Sequence, residues 1–323
     1  MVKERIWFID YAKIIGLWMV ILAHLYSSEG YDSSNVIRTY IYGFHMPFFF
    51  AVSGMLYKQR PQGLKYALFK NIKSLFIPWL VFNLIFIIIE IITTNKGFIN
   101  IVNTFFTCIF KGKDTYCQAS WFVICLFYIK CIFDVFKYTN KMIFAYIIIA
   151  LTFYSKFKYF YFASATIGFT FYYLGYVSFE YLKKISRLDL NKWLFAITAI
   201  VSFIISYYLT QINGKVSVYA ASLKNPFIFY ANSIIGSLGI IAFALLLNKQ
   251  ASNFTAKLST ASIGVVLTHV AIVKKVRIFR SNFQLDYIEL FVWYSIAACC
   301  IYIICYYIYV IINKYTPWVF GRR

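Results

Sequence analysis

Acidic residues are scarce in this sequence: Asp and Glu together number 11 among 323 residues, and charged residues of both signs make up 13%. Soluble domains carry about 25% charged residues, because charge keeps their surface in water. A soluble globular protein of this length is therefore excluded. Proline is also rare, with 5 residues, which does not favour a transporter built from Pro-interrupted helices in repeated halves.

Basic residues, in contrast, outnumber acidic residues 32 to 11, which gives a formal net charge of +21. A nucleic-acid-binding protein would present such charge as a basic face on a soluble fold. Here the Lys and Arg residues stand mostly in short gaps between apolar runs, where they orient helices and meet anionic lipid headgroups. We therefore predict a lipid bilayer, and no nucleic acid, as the partner of these charges.

Long apolar stretches dominate the rest of the sequence, in which 62% of residues are hydrophobic. Many approach the ~20 residues that cross a bilayer as a helix. We predict an all-α integral membrane protein, a bundle of about ten transmembrane helices in a single domain over residues 1–323. The predicted spans are 7–26, 40–57, 75–93, 119–136, 142–154, 162–179, 193–210, 227–247, 261–273 and 288–312, and a further apolar piece at 98–110 is predicted to lie in the interface.

The basic gaps predict the orientation of the bundle. The gap after the second span contains five basic residues and no acid: Lys58, Arg60, Lys65, Lys70 and Lys73. With ten spans, this gap, the gap after the sixth span and both termini fall on one side, which is the cytoplasmic side by the positive-inside rule. A basic segment at 274–280 falls on the opposite side. Either the ninth span is misplaced, or this segment binds something anionic.

The first predicted span carries three ionisable side chains, Asp10, Lys13 and His24. Lys13 and His24 are 11 residues apart, which is about 16 Å along a helix and about 20° from whole turns, so they share a face. Asp10 lies on the same face and is predicted to be the counter-ion of Lys13. A snorkelling lysine and an interfacial histidine would explain each residue alone, but the shared face favours a functional site.

All three histidines of the sequence, His24, His45 and His269, lie near the predicted outer end of a span. Imidazole suits proton transfer at neutral pH, so their convergence on one membrane face indicates a catalytic centre. Three histidines could also bind zinc, but none is paired at the i, i+4 spacing of helical zinc ligands, and we predict no metal.

Four further residues are candidates for supporting roles. Ser53 and Gly54 fit a small-residue packing notch between helices. Glu90 interrupts an apolar run and is predicted to point into the bundle. Trp121 begins a span, where tryptophan commonly anchors a helix at the interface.

Several motifs follow one another along the chain. A run from Arg5 to Lys13 is followed, after ten further residues, by His24. The later motifs are Gly43–Phe50, Ser53–Met55, Lys70–Lys73 ahead of Ile77–Trp79, Ser120–Phe122, Tyr173–Tyr176 and Leu267–His269. In this order they resemble acyltransferase family 3, the membrane-bound sugar O-acyltransferases that include the fucose 4-O-acetylase-like proteins of bacterial surface polysaccharides. The resemblance covers nearly the whole chain.

This resemblance implies ten helices, a bacterial cytoplasmic membrane location and transfer of an acyl group from cytoplasmic acyl-CoA to a saccharide or lipid-linked glycan. The acyl group is expected to be acetyl, with acetyl-CoA as the donor. By the same resemblance His24 is the catalytic imidazole, Asp10 and Lys13 are further catalytic candidates on the same helix, and Lys13, Lys70 and Lys73 hold the CoA. The family has arginines where Lys70 and Lys73 stand, and lysine lacks the bidentate phosphate contacts of arginine.

A second hypothesis belongs to another functional class, a non-catalytic flippase or exporter of a polysaccharide or lipid. It differs from the enzyme hypothesis in requiring no acyl-CoA. The few ionisable residues on one helix face favour the enzyme, since transport more commonly uses broken helices in repeated halves.

Overall fold

The computed structural model describes residues 5–26, 32–94, 97–113, 115–151, 159–188, 190–248 and 252–321. Within these ranges the protein is helical, and its extended pairing is limited to one isolated bridge between Ser217 and Ser222. The helices are α1 (Trp7–Leu25), α2 (Asp32–Tyr42), α3 (His45–Met55), α4 (Leu64–Asn71), α5 (Ile77–Thr93), α6 (Phe98–Phe110), α7 (Ser120–Tyr138), α8 (Ile143–Leu151), α9 (Phe162–Ile185), α10 (Lys192–Asn213), α11 (Pro226–Leu246), α12 (Asn253–Thr260), α13 (Ser262–Arg280) and α14 (Tyr287–Tyr315).

Five helices in the described part of the chain are long and apolar enough to cross a membrane: α1, the continuous helix Leu64–Thr93, α10, α11 and α14. A sixth span results if α12 and α13, which are bent by 72°, form one broken helix. Helices α7 and α9, of 19 and 24 residues, also have the length to cross but are less apolar. The predicted all-helical class is thus confirmed for the described residues, with several helices suited to a multi-pass membrane protein, and the count of ten spans stays a prediction.

Helix α1 lies at the centre of the bundle, where it packs against α3, α11, α13 and α14. Its Leu17 and Ile21 side chains are fully buried. Helices α10 and α14 lie at the periphery and expose many aliphatic side chains, such as Ile197 and Ile204 on α10 and Ile296 on α14. An apolar outer surface of this kind is suited to contact with lipid tails.

The predicted span 40–57 is wrong as a single helix, because the chain breaks between α2 and α3 at Gly43 and Phe44. Pro47, in the first turn of α3, lacks the N–H that would bond to the carbonyl of Gly43 four residues earlier. The Ser233 hydroxyl of α11 donates a hydrogen bond to this carbonyl instead, at 2.7 Å. The break lets α2 pack against α1 and α10 while α3 packs against α9 and α11.

Two segments predicted as gaps are also helical. The chain runs from α4 through a π-helical turn, Ile72–Phe76, directly into α5, so Lys70 and Lys73 lie on a helix. Helix α13 continues to Arg280, so the basic segment 274–280 forms its last turns and is not a loop. Lysine and arginine are good helix formers, and cations near a helix C-terminus interact favourably with its dipole. Of the predicted span 142–154, residues 152–154 lie outside the described residues.

Helices α3 and α9 touch backbone to backbone at two glycines. A Cβ atom built on Gly54 would lie 1.9 Å from the Tyr172 carbonyl oxygen, and one on Gly175 would lie 1.9 Å from the Ala51 carbonyl oxygen. The neighbouring Ser53 hydroxyl bonds within its own helix, to the Phe49 carbonyl at 2.8 Å. Gly54 and Gly175 therefore form the close contact between the two helices, whereas the hydroxyl of Ser53, the other residue of the predicted notch, bonds within α3.

We expect Gly54→Ala to destabilise the protein by about 1–3 kcal/mol, because overpacking at a backbone contact forces the two helices apart. The measurement is the thermal unfolding temperature of the purified protein in detergent. Gly97→Ala is the matched control, since nothing lies within 4 Å of a Cβ atom there. Equal unfolding temperatures for the two variants would contradict the close contact between α3 and α9.

Candidate active site

The three histidines converge on one cavity, although they come from α1, α3 and α13. The ring centroids of His24 and His269 are 5.1 Å apart in an edge-to-face arrangement. Tyr42 contacts both His24 and His45, with its ring centroid 6.1 Å from that of His24 and 4.8 Å from that of His45. The structure therefore brings together the imidazoles that the sequence predicted to meet.

Two of these imidazoles are held by backbone carbonyl groups. The Nδ1 atom of His45 lies 2.8 Å from the Ile41 carbonyl oxygen, and that of His269 lies 2.9 Å from the Val265 carbonyl oxygen. A carbonyl only accepts hydrogen bonds, so each Nδ1 carries the proton, and in the neutral ring Nε2 keeps its lone pair. His45 and His269 are buried, whereas His24 is partly accessible. His24 is thus the imidazole best placed to meet a ligand.

The cavity has a volume of about 290 Å³ and walls of strongly aromatic character. Trp121 lines the cavity from the first turn of α7. Phe122 on α7 and Phe49 on α3 also line it. Trp121 lies against Tyr219, which belongs to the segment between α10 and α11, with ring centroids 5.7 Å apart. Trp121 was predicted as an interfacial anchor or supporting residue, and the structure makes it a wall of the histidine cavity.

The α10–α11 segment covers one side of this cavity through Ser217, Val218 and Tyr219. The Ser164 hydroxyl on α9 donates a hydrogen bond to the Tyr219 carbonyl at 2.8 Å. Within the segment, Ser217 and Ser222 exchange two backbone hydrogen bonds, which fold it back over the helix ends. The segment is therefore an ordered cover with its own hydrogen bonds.

Another buried polar network fixes the wall formed by Gln118, Ala119 and Trp121. The Thr115 hydroxyl donates to the Asn83 side-chain oxygen at 2.5 Å, and the Asn83 amide donates to Ser120 at 3.3 Å and to the Trp79 carbonyl at 2.8 Å. Ala119 adopts a left-handed conformation, with φ of 66°, immediately before α7 begins. Such strain persists where the surroundings enforce it, and the Asn83 network holds Ser120, the residue that follows Ala119.

Several residues of the lining were missed in the sequence, among them Arg38 and Tyr42. Arg38 and Tyr42 lie on α2, and the Arg38 guanidinium carbon is 4.8 Å from the centre of the Tyr42 ring. Their spacing to His45 places all three on one face of a helical pattern, a signal present in the sequence. Arg38 was missed because the predicted second span began at residue 40, and Tyr42, inside that span, was not singled out as a site residue.

The electrostatics of the cavity are basic. Among the described residues, the lining contains one residue of the types Lys, Arg, Asp and Glu, namely Arg38. No carboxylate of the described residues lines the cavity. His24 is affected electrostatically by the rings of His269 and His45 and by two cations, Arg38 and Arg277. Among the described residues no group of three His, Cys, Asp or Glu side chains is arranged to hold a metal ion. The arrangement suits proton transfer by imidazole beside a positively charged wall.

Comparison with known protein families gives this geometry a chemical context. A family model described as an acyltransferase domain, that of acyltransferase family 3, matches residues 6–310. The chain belongs to acyltransferase family 3. No curated protein and no solved structure matches the chain. The protein is therefore a membrane acyltransferase, and the resemblance carried by its motifs is confirmed at the level of the family.

Asp10 and Lys13 of this acyltransferase do not line the histidine cavity. The Asp10 carboxylate bonds to the Arg5 guanidinium at 2.5 Å and accepts a hydrogen bond from the Ser259 hydroxyl at 2.5 Å. The direct ion pair of Asp10 is thus with Arg5, and the same carboxylate also attracts Lys13 electrostatically. The helical spacing was correct, but spacing within one helix does not reveal an arginine that folds back from before its first turn or a serine on α12.

Lys70 and Lys73 line a separate cavity of about 160 Å³ beside the C-terminal turn that contains Trp318 and Gly321. The Lys70 ammonium lies 3.4 Å from the Gly321 carbonyl oxygen, and the Lys73 ammonium lies 4.5 Å from the centre of the Phe69 ring. Two neighbouring ammonium groups at the mouth of a cavity can bind phosphate. The sequence could not have revealed that the C-terminal turn forms the opposite wall.

Glu90 lines a third cavity, of about 320 Å³, together with Lys274 and Lys275 of the basic segment on α13. Gln118 lines both this cavity and the histidine cavity. The prediction that Glu90 points into the bundle agrees with this position, although the glutamate does not reach the histidines. The basic segment therefore borders a largely apolar cavity next to the candidate active site.

We expect Asn83→Ala to lower the free energy of unfolding by about 1–3 kcal/mol, because Thr115 and Ser120 are left buried without their partner. The unfolding temperature of the purified protein in detergent measures the effect. Asn100→Ala on α6, where the side chain is exposed, is the matched control and should leave that temperature unchanged. A loss of similar size in both variants would argue against the network.

Proposed function

We propose that this acyltransferase is an O-acetyltransferase, which moves an acetyl group from cytoplasmic acetyl-CoA to a hydroxyl of a cell-surface or lipid-linked saccharide. The observation that carries the proposal is the convergence of three imidazoles on one cavity, with His24 the accessible one. Sugar hydroxyls are poor nucleophiles at neutral pH, so their acylation calls for a positioned base.

In the proposed reaction the His24 imidazole accepts the proton of the acceptor hydroxyl. The acceptor oxygen attacks the thioester carbonyl, a carbon–oxygen bond forms, and the carbon–sulfur bond breaks. The sulfur leaves with the proton returned by the His24 imidazolium, so the products are the sugar ester and the free thiol of CoA. No proton or charge remains on the protein after the cycle.

His269 and His45 have supporting roles in this proposal. The buried Nε2 atom of His269 has no hydrogen-bond partner among the described residues, and the two rings are close enough for a small rotation to bring an N–H of His24 to it. A base is most effective when a second group fixes its orientation. The His45 ring lies against Tyr42 at an interplanar angle of 34° and forms part of the wall of the histidine cavity.

The donor side of the proposal rests on Lys13, Lys70 and Lys73. Lys13 lies on the same helix as His24, and Lys70 and Lys73 flank a cavity beside the C-terminal turn. The basic residues of the 58–73 segment favour the cytoplasmic side by the positive-inside rule. We therefore propose a bacterial cytoplasmic membrane protein with both termini in the cytoplasm, which takes its donor from that side.

We expect His24→Ala to lower acetyl transfer by about 10²–10⁴-fold, the range that general base catalysis contributes. Purified protein in nanodiscs is incubated with radiolabelled acetyl-CoA and cell-envelope glycan, and label in the glycan is counted. His24→Gln, which keeps a polar side chain of similar reach, should be equally impaired, and both variants should keep the unfolding temperature and acetyl-CoA binding of the wild type.

Three other outcomes would change the proposal. Equal transfer by wild type and His24→Ala would keep the enzyme but remove His24 from its chemistry. Transfer of an acyl group other than acetyl would correct the donor. No transfer and no binding of acetyl-CoA by the wild type would favour the flippase or exporter hypothesis.

We expect the double substitution Lys70→Gln, Lys73→Gln to raise the KM for acetyl-CoA about 10-fold or more, since charge-assisted hydrogen bonds contribute about 1.5–3 kcal/mol. The kcat should change far less, because these residues lie outside the histidine cavity. Lys65→Gln removes an exposed charge from the same helix and is the matched control. An unchanged KM in the double variant would remove Lys70 and Lys73 from the donor site.

A further inference from the structure

The histidine cavity contains a cation without a described anion to balance it. Arg38 projects into the lining, and its Nε atom is buried without a hydrogen-bond partner among the described residues. A buried guanidinium is costly unless it is paired or hydrogen-bonded. Its five N–H donors in a planar fork match a carboxylate or a phosphate group. The unmatched donor points to an anionic group supplied by a ligand.

The position of Arg38 is well defined by its surroundings. Its guanidinium lies over the Tyr42 ring, with 4.8 Å between the guanidinium carbon and the ring centre. Tyr42 in turn lies against both His24 and His45. Contact with the aromatic face leaves the edges of the guanidinium, which carry the N–H groups, available for in-plane hydrogen bonds.

Proton transfer gives a second reason for a bound anion. When His24 takes up a proton it becomes a cation, and the charged side chains that act on it, Arg38 and Arg277, are cations as well. Many enzymes place a carboxylate beside such a histidine, but no carboxylate of the described residues lines this cavity. A negative charge on the ligand, bound at Arg38, would offset the repulsion while the imidazolium exists.

We propose that the acceptor is an acidic saccharide, whose carboxylate or phosphate group binds Arg38 beside the hydroxyl that is acylated. The inference rests on the proposed function and specifies its substrate class. Arg38 is then a specificity-determining residue that positions the acceptor against His24. The phosphates of the acyl donor share the same chemistry, so the experiment must tell the two sources apart.

The test compares the wild type, Arg38→Gln and Arg38→Lys with matched acceptors, a uronic-acid oligosaccharide and its neutral counterpart. Transfer of label from acetyl-CoA gives kcat and KM for each acceptor and for the donor. Binding of the acidic oligosaccharide to nanodisc-embedded protein, without donor, is measured separately. Arg60→Gln is the control, since Arg60 is exposed and its contact with Tyr138 uses backbone atoms.

We expect the wild type to prefer the acidic acceptor and Arg38→Gln to raise its KM about 10- to 100-fold, the value of a charge-assisted hydrogen bond. The KM for the neutral acceptor and for acetyl-CoA should change less than about twofold. Arg38→Lys should recover part of the loss, because it restores the charge without the planar fork. Binding of the acidic oligosaccharide should fall in parallel, and Arg60→Gln should match the wild type.

The opposite results would overturn the inference in distinguishable ways. A rise in the KM for acetyl-CoA would assign Arg38 to the donor. An equal fall in kcat with both acceptors would indicate that Arg38 stabilises the carbonyl oxygen of the reacting thioester instead. If the wild type transfers label to neither acceptor, the proposed function fails, and the binding measurement still decides whether Arg38 recognises an acidic saccharide.

Discussion

Inside a bilayer no water reaches the backbone, so each N–H and C=O group must find its partner within the protein. At Pro47 this constraint shapes the site, because the proline cannot donate to the Gly43 carbonyl. The hydroxyl of Ser233 takes over that role, and the same helix holds Asn232, which bonds to Ser206 and Thr210 on α10. The turn between α2 and α3 is thereby fixed to two other helices.

In the cavity beside this turn, the imidazoles of His45 and His269 are oriented by the backbone rather than by carboxylates. The carbonyl groups of Ile41 and Val265 set the tautomers of His45 and His269 without adding a charge. In a region of low dielectric constant a buried carboxylate would need a matching cation and its own hydrogen bonds. Backbone carbonyls avoid that desolvation cost. Because they carry no charge, the net charge of the described lining comes from Arg38.

The sequence predicted the helical membrane class and the meeting of the three histidines, because hydropathy and helical spacing depend on local order along the chain. Pro47, inside the predicted span 40–57, was a signal for the break at Gly43 that was not used, and the compensating Ser233 is remote in sequence. The partner of Asp10 was missed for the same reason, as Ser259 comes from α12. Interactions between distant segments become visible in the three-dimensional arrangement, and a single sequence contains little record of them.

The extent of α4 and α13 was underestimated for a different physical reason. Hydropathy marks where a helix is buried in lipid, whereas helix propensity and the dipole decide where it ends. Basic residues end an apolar run but readily continue a helix. Lys70, Lys73 and the 274–280 segment therefore appear as gaps in a hydropathy reading and as helical turns in the structure.

Gln118 lines both the histidine cavity and the cavity bordered by Glu90, Lys274 and Lys275. A substitution at this one position therefore alters the walls of two neighbouring cavities together. The shape of the space in which His24 works cannot be changed there without changing the space beside the basic segment of α13.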